Sequence, residues 1–382
     1  MKNTLKYLTQ IQPPRNYQNI DSLNNVANYI KNRFESLNLE VSFQEFKVDG
    51  TIYKNVIATI NPHYSKRLIV GGHYDVCGDF QGADDNASAI AGIIETAKQL
   101  KQYEDTLLFR IDFVAFCLEE PPYFGTEQMG SFIHAKYLID KNIDVIGMIN
   151  YEMIGYYTDE PNSQDYPIPQ MKDKYPSIGN FIANISNEKS INFLKDLGFD
   201  RLKKDIDSYD IVLPDAFAHI TASDHLNYWS MGFDAVMITD TAYFRNKNYH
   251  TKYDTYDTID FTKMQYAIDM VANSILHFNS TKIDDILKLC AFKWVENCGI
   301  SSSIRTLYWD MAMTICSDNF NKFKEYILAC EYGKESLDYD INGEYGLEFY
   351  ENIKTMELSN LNDIDKKIFM NGYSILVNNI KI

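Results

Sequence analysis

The 382-residue sequence has no unbroken apolar run of membrane-spanning length, no surplus of positive charge and no Cys-x-x-Cys spacing. Lys and Arg number 36 against 53 Asp and Glu, which gives a formal net charge of −17. A surface that binds nucleic acid or anionic membranes needs clustered positive charge, so both partner classes are disfavoured. The N-terminal segment MKNTLKYLTQIQPPRNYQ also lacks the continuous apolar core of a signal peptide. We therefore expect a soluble protein without nucleic-acid or membrane partners.

The six cysteines lack the paired spacing of a metal or redox motif, and four of them lie in the last hundred residues. Cys77 and Cys117 follow apolar or strand-like stretches and are interpreted as small buried hydrophobes. The sequence thus favours a reduced, cytoplasmic protein over a secreted one.

Helical and strand-like patterns alternate along the first 280 residues. Their length suits one large α/β domain, and the predicted fold is a mostly parallel or mixed sheet with helices on both faces. The hairpin signal Asp49-Gly50 joins two alternating segments within residues 39–60. Helices are predicted at 20–38, 86–100, 131–141, 190–205 and 261–277, and strands at 67–73, 106–116, 145–151, 178–186 and 234–240.

From about residue 283 onward the pattern becomes helical, and no strong strand series follows. We expect two regions, a catalytic domain over 1–282 and a helical C-terminal region over 283–382. The latter is either a small domain or an appendage packed on the core. The oligomeric state stays open.

Candidate chemical groups fall just beyond the ends of four predicted strands. The carboxyl ends of the strands form the ligand crevice of an open α/β sheet, so this placement predicts a single site. The candidates are His73 and Asp75, Asp85 in GADDN, Glu119 and Glu120, Glu152, and His250 in NYHTK.

Each candidate also has an ordinary structural interpretation. His73 can be a histidine whose ring is satisfied in a turn, although Asp75 is placed to hold its second ring nitrogen, as a metal-bound histidine requires. The pair Asp84-Asp85 can cap a helix, or Asp85 can bridge two cations.

The carboxylates within apolar sequence are harder to explain as surface residues. Glu119 and Glu120 lie in FVAFCLEEPPYF, where two adjacent charges repel each other unless a cation lies between them. Glu152 interrupts the apolar stretch VIGMINYEMIG and needs a partner as well. His250 alone resembles any surface histidine.

The set formed by His73, Asp85, Glu120, Glu152 and His250 contains nitrogen and oxygen donors without a thiolate. Such donors suit two Zn²⁺ ions, with Co²⁺ or Mn²⁺ as substitutes, about 3.5–4 Å apart.

The ordered motifs GGHYDV, GADDNAS, CLEE, EMIG, SDHLNYWSMGFDAVMI and YHT resemble those of the co-catalytic zinc aminopeptidases of the bacterial leucine aminopeptidase family. Glutamate carboxypeptidase and glutaminyl cyclase are relatives of that family. The resemblance covers residues 15–280 and implies a zinc-exopeptidase fold. Two departures stand out: Glu152 occupies the position of the usual aspartate, and PPYFGTEQMGS is longer than the usual loop.

The resemblance also implies the role of each residue. Asp85 would bridge both ions, Glu120 and His250 would complete one site, and His73 and Glu152 would complete the other. Glu119 would be the general base and Asp75 would orient His73. The implied activity is hydrolysis of a peptide or amide bond at a free N-terminus, with metal-bound water as the nucleophile.

Three other functions remain open at this stage. A one-zinc cyclase similar to glutaminyl cyclase would use the same glutamates, and a carboxypeptidase or dipeptidase would use the same ions. A binding module without activity is the third, and the complete ligand set argues against it. Tyr243 is a candidate for holding an oxyanion or, equally, a core residue.

Overall fold

The computed structural model describes the backbone of residues 1–199, 205–214, 217 and 220–297. Residues Met1–Phe278 form one compact unit. In the described part the α-helices are α1 Lys2–Gln10, α2 Ile20–Glu35, α3 Ala89–Lys101, α4 Gly130–Asp140, α5 Ile191–Leu197, α6 His225–Ser230 and α7 Phe261–Asn297. The strands are β1 Glu40–Val48, β2 Thr51–Ile60, β3 Arg67–His73, β4 Arg110–Phe116, β5 Val145–Tyr151, β6 Ile182–Ser186, β7 Ser208–Val212 and β8 Ala235–Thr239.

All eight strands join one mixed sheet in the order β1-β2-β4-β3-β5-β8-β6-β7. The central strands β4, β3, β5 and β8 run parallel to one another, and β6 pairs in parallel with β7. Strands β1 and β2 add an antiparallel hairpin at one edge, and β8 and β6 are antiparallel. The predicted α/β class with a mixed sheet is confirmed.

The edge hairpin turns at the predicted dipeptide. Asp49 and Gly50 have φ angles of 50° and 89°, and Val48 pairs directly with Thr51. A two-residue turn with two positive φ angles matches the right-handed twist of the strands that it joins.

Successive side chains along a strand point to opposite faces of the sheet, and in the central strands both sets are mainly apolar. Helices therefore cover both faces. On one face, Val114 of β4 and Met148 of β5 belong to a core cluster with Leu138 of α4 and Tyr228 of α6. On the other face, Phe113 of β4 contacts Phe34 of α2, with 6.2 Å between the ring centroids.

Some predicted boundaries were wrong. The helix expected over 190–205 ends at Leu197, because Gly198 takes a left-handed conformation with φ of 66° that terminates α5. The helix expected from residue 86 begins at Ala89, since Asp85 and Asn86 have non-helical backbone angles. Strand β7 and helices α1 and α6 were not predicted.

The boundary expected at 282/283 lies inside α7, which continues to Asn297. Residues 298–382 lie outside the described part, so the helical C-terminal region stays a prediction. Within the described residues, no helix combines the length and apolar character needed to cross a membrane.

Candidate metal centre

The parallel strands bring the predicted site residues to one edge of the sheet. His73 is the last residue of β3, Glu152 directly follows β5, and Glu119 and Glu120 lie in the turn after β4. Asp85 lies in the loop between β3 and α3. The site is buried, with each of these side chains exposed by 6% or less.

Asp85 lies between two histidines. Its Oδ1 is 3.5 Å from Nε2 of His73, and its Oδ2 is 3.0 Å from Nε2 of His250. Glu152 Oε2 lies 3.4 Å from Nε2 of His73, and Glu120 Oε2 lies 3.2 Å from Nε2 of His250. The five side chains therefore form two groups that share Asp85. Each group is faced by a different oxygen of the Asp85 carboxylate.

Unpartnered buried atoms test whether this arrangement suits a cation. Both ring nitrogens of His73 and Oε1 of Glu120 lack a hydrogen-bond partner among the described residues. Buried polar atoms almost always have a partner. Imidazole nitrogens and carboxylate oxygens are the donors that zinc accepts, so the residues present fit divalent ions.

The pKa values of the cluster also indicate a cation site. Burial is the main cause that raises the pKa of Glu119 well above its ordinary value and that of Glu120 to about 8, and the pKa of Glu152 is raised as well. Burial lowers the pKa of His250, but Asp85 and Glu120 outweigh it and raise that pKa to about 10. The cluster binds protons tightly because its carboxylates are buried and outnumber its histidines, and a divalent ion would displace those protons.

We expect the metal-free protein to lose thermal stability as the pH rises. The pKa of Glu120 goes from 4.5 to about 8 on folding, and that of His250 from 6.5 to about 10. A raised folded-state pKa contributes stability that is complete below the unfolded value and is lost as the pH rises toward the folded value. The melting temperature of chelator-treated protein should therefore fall between about pH 5 and about pH 9.

Zinc should reverse this trend, because it competes with protons for the same atoms and stabilises the folded chain increasingly as the pH rises. Melting curves with and without zinc across that pH range measure both effects. A metal-free melting temperature that stays constant or rises with pH would contradict the charge balance of the site.

Asp75 contacts both His73 and the turn that carries the glutamate pair. Its Oδ1 lies 3.5 Å from Nδ1 of His73, which places Asp75 where the sequence predicted a carboxylate that orients this ring. Its two oxygens also accept the backbone N–H groups of Glu119, at 3.2 Å, and Glu120, at 3.0 Å. Asp75 thus fixes the turn that carries the glutamate pair, a role that the sequence did not reveal.

Glu152 is held by two donors that sequence reasoning missed. Asn86 Nδ2 donates to Glu152 Oε2 at 2.9 Å, and the Ser223 hydroxyl donates to the same oxygen at 2.7 Å. Asn150 in turn donates to the Ser223 hydroxyl at 2.8 Å. These contacts fix the carboxylate of a side chain one methylene longer than aspartate. Ser223 begins the motif SDHLNYW, and the presence of this motif in the family resemblance was the one sequence feature that pointed to it.

Residues far away in sequence hold the loop that carries Asp85. Asp254 accepts the backbone N–H of Asp84 at 2.8 Å and that of Asp85 at 3.0 Å. Arg15 is fully buried and donates to the carbonyl oxygens of residues 8, 74, 81 and 82. Burial lowers the pKa of Arg15 to about 10, so it remains a positive charge beside the acidic cluster.

The absence of a side chain at Gly82 allows Arg15 and the loop that carries Asp85 to pack closely. Gly82 has a φ of 57°, and a Cβ there would lie 2.3 Å from the carbonyl oxygen of Asp85 and 3.0 Å from Nη2 of Arg15. Only glycine combines this backbone conformation with such close approach.

An apolar pocket with an empty volume of about 690 Å³ opens beside Glu152. Tyr249, which stacks on His250 with 3.8 Å between ring centroids, also lines it. The half-buried Tyr243 is another wall residue. Apolar lining residues include Met171, Ile185, Ile211, Leu213, Ile220, Ala222, Met237 and Phe244.

Hydrogen bonds hold several polar side chains of the pocket wall in place. Gln164 donates to the Thr241 hydroxyl at 2.8 Å and accepts from Nε of Arg245 at 2.9 Å. The Pro- and Asp-rich segment 157–177 supplies part of the wall. The loop 121–131, which is longer than usual in the family that the sequence resembles, contributes none of the lining residues.

The chain matches known proteins along most of the compact unit. The sequence profile of peptidase family M28 matches residues 55–275. A protein of Escherichia coli strain K12 named Uncharacterized protein YfbL is 40% identical over 280 residues, which covers 71% of this chain and 85% of that protein.

Solved structures share the fold at low sequence identity. The LapA aminopeptidase of Legionella pneumophila superposes with a TM-score of 0.56 at 17% identity, covering 73% of this chain and 70% of its own. The glutaminyl cyclase of Fimbriiglobus ruber superposes with a TM-score of 0.53 at 21% identity, covering 72% and 93%. Similarity at this level of sequence identity shows the shared fold alone.

Proposed function

The chain belongs to peptidase family M28, and we propose on this premise that it is a two-zinc aminopeptidase that hydrolyses the first peptide bond of a substrate with a free N-terminus. The observation that carries the proposal is the sharing of Asp85 between two ligand groups, one with His73 and Glu152 and the other with His250 and Glu120. A one-zinc enzyme needs only one such group.

Bound zinc ions would polarise the scissile carbonyl and acidify water. Glu119 would act as the general base, taking a proton from the attacking water and returning it to the leaving amine. Its Oε2 lies 3.6 Å from Nε2 of His73, so its carboxylate reaches the centre without belonging to the His250 group. Asp75 holds the backbone of Glu119 and thereby the position of this base.

The charge of the site favours a substrate amine over a substrate carboxylate. The carboxylates around the centre attract an ammonium group, whereas a carboxypeptidase needs a cationic clamp for the terminal carboxylate. Arg15 lies against the acidic cluster, but its guanidinium is fully buried and donates to backbone carbonyls, so it cannot serve as that clamp.

A substrate panel tests the proposal on the zinc-loaded chain. We expect release of the first residue from aminoacyl anilides and short peptides, and none from the N-acetylated forms. Exhaustive chelation should abolish turnover and zinc should restore it. Full activity in metal-free protein would end the metallopeptidase proposal, and conversion of N-terminal glutamine to a cyclic product would favour the cyclase.

We expect a preference for large apolar N-terminal residues, because the pocket beside Glu152 is lined mainly by apolar side chains. The variant Ala222→Leu should narrow the pocket and lower kcat/KM for leucine and phenylalanine substrates by about tenfold or more, since one methylene in such a pocket changes rates by about 10- to 200-fold. Steady-state kinetics with a matched alanine substrate provide the control.

The alanine substrate should keep its rate in Ala222→Leu, and the zinc content should be unchanged. Equal losses for alanine and leucine substrates would show that this pocket does not hold the N-terminal side chain.

A further inference from the structure

Cys77 lies in the loop between His73 and Asp85, and the structure corrects its interpretation as a buried hydrophobe. Its side chain is half-buried, whereas Cys117 is fully buried. Cys77, Asp85 and His250 line one open cleft, whose free space including adjoining solvent is about 150 Å³. The thiol therefore faces the same space as two of the proposed zinc ligands.

The donors around this cleft lie close together. The Cys77 sulfur, a carboxylate oxygen of Glu120 and a ring nitrogen of His250 all lie within 4.8 Å of one another. Donors of this kind on a tetrahedral zinc ion are about 3.6 Å apart, given bonds of about 2.3 Å to sulfur and about 2.0 Å to nitrogen. The three side chains thus need to approach by at most about 1.2 Å.

One of these three donors also has an unsatisfied buried atom. Glu120 is exposed by only 4%, and its Oε1 has no hydrogen-bond partner within the described residues. A buried carboxylate oxygen without a donor is costly unless a cation satisfies it.

We propose that Cys77 is a further ligand of the ion held by Glu120, His250 and Asp85. This inference rests on the proposed metal centre. It gives that ion four protein donors and leaves the other, held by His73, Glu152 and Asp85, with three.

The two sites would therefore differ in kind. Zinc with four protein donors is typical of tightly held sites, and zinc with three protein donors keeps a position for water or substrate. A sulfur donor also favours zinc over Mn²⁺ or Mg²⁺, which prefer oxygen. We infer that the Cys77 site retains its ion and that the His73 site exchanges more readily.

Binding through sulfur requires that the thiol release its proton to solvent as the sulfur–metal bond forms. Burial and the neighbouring Glu120 and Asp85 raise the pKa of Cys77 to about 12 in the metal-free protein. The thiol is then protonated at neutral pH until an ion replaces the proton.

Cobalt is the probe for the test. The full-length chain loaded with Co²⁺ should show a thiolate-to-cobalt charge-transfer band, and Cys77→Ser should remove it. Cys117→Ser is the matched control and should keep the band. In competition with a chelator, one of the two zinc ions should bind at least about tenfold more weakly to Cys77→Ser. Even the loss of a residue that only hydrogen-bonds to a metal ligand lowers metal affinity by about 10- to 100-fold.

A second measurement needs no variant. Zinc should protect Cys77 of the wild-type chain from alkylation, measured by mass spectrometry on the peptide that contains it. Two bound cobalt ions without a band, a band that persists in Cys77→Ser, or alkylation unchanged by zinc would overturn the Cys77 assignment and leave the metal centre intact. A chain that binds no cobalt and no zinc would overturn both.

Discussion

Replacing Glu119 by glutamine should lower kcat by about 100- to 10,000-fold, the usual cost of losing a general base, while the zinc content stays unchanged. The amide is nearly the same size but cannot accept a proton. Asp75 holds the backbone N–H of residue 119, and this contact does not depend on the side chain. Steady-state kinetics together with zinc analysis of the purified variant measure both effects.

Glu120→Gln is the matched control because it changes the adjacent residue in the same way. Glu120 Oε2 lies 3.2 Å from Nε2 of His250, so this variant should lose zinc from that group. If Glu119→Gln lost zinc while Glu120→Gln kept it, the roles assigned to the two glutamates would be reversed.

The fold and the position of the candidate site were predictable because their signals are local. Strand β5 was predicted as observed, at Val145–Tyr151, from its apolar run, and β3 was predicted to end at His73. Parallel strands place their carboxyl ends at one edge, so residues that follow them meet there. The assignment of Asp85 as the shared residue came from the family resemblance, and its two oxygens do face separate histidines.

The missing elements lack such a signal. Strand β7, SYDIV, is five residues long and, among the described residues, pairs with β6 alone at the edge of the sheet, so it needs no continuous apolar run. Helix α1 buries only Thr4, Leu5, Leu8 and Thr9. Neither pattern is long enough to separate an element from a loop.

The supporting contacts of the site depend on distant parts of the chain. Arg15 donates to the carbonyl oxygen of Gly82, 67 residues away, and Asp254 accepts from Asp85, 169 residues away. Ser223 donates to Glu152 across 71 residues. No local pattern distinguishes these polar residues from surface ones, because their burial follows from the tertiary fold.

Replacing Asp85 by asparagine should remove both ions and nearly all activity. One Asp85 oxygen faces His73 and the other faces His250, whereas Glu152 pairs with His73 and Glu120 with His250. An amide offers one oxygen and no charge. The metals contribute several kcal/mol to the reaction, so turnover should fall by roughly 1,000-fold or more.

The neighbouring Asp84→Asn is the control for this change. Asp84 accepts the backbone N–H of Gly155 at 2.9 Å and the Asn246 amide at 2.8 Å, and it is not within ion-pair distance of His73 or His250. Elemental analysis should give two zinc ions per chain for Asp84→Asn, about one for Glu152→Gln, and fewer than one for Asp85→Asn. Two tightly bound ions in Asp85→Asn would refute a shared carboxylate, because each group would then be complete without it.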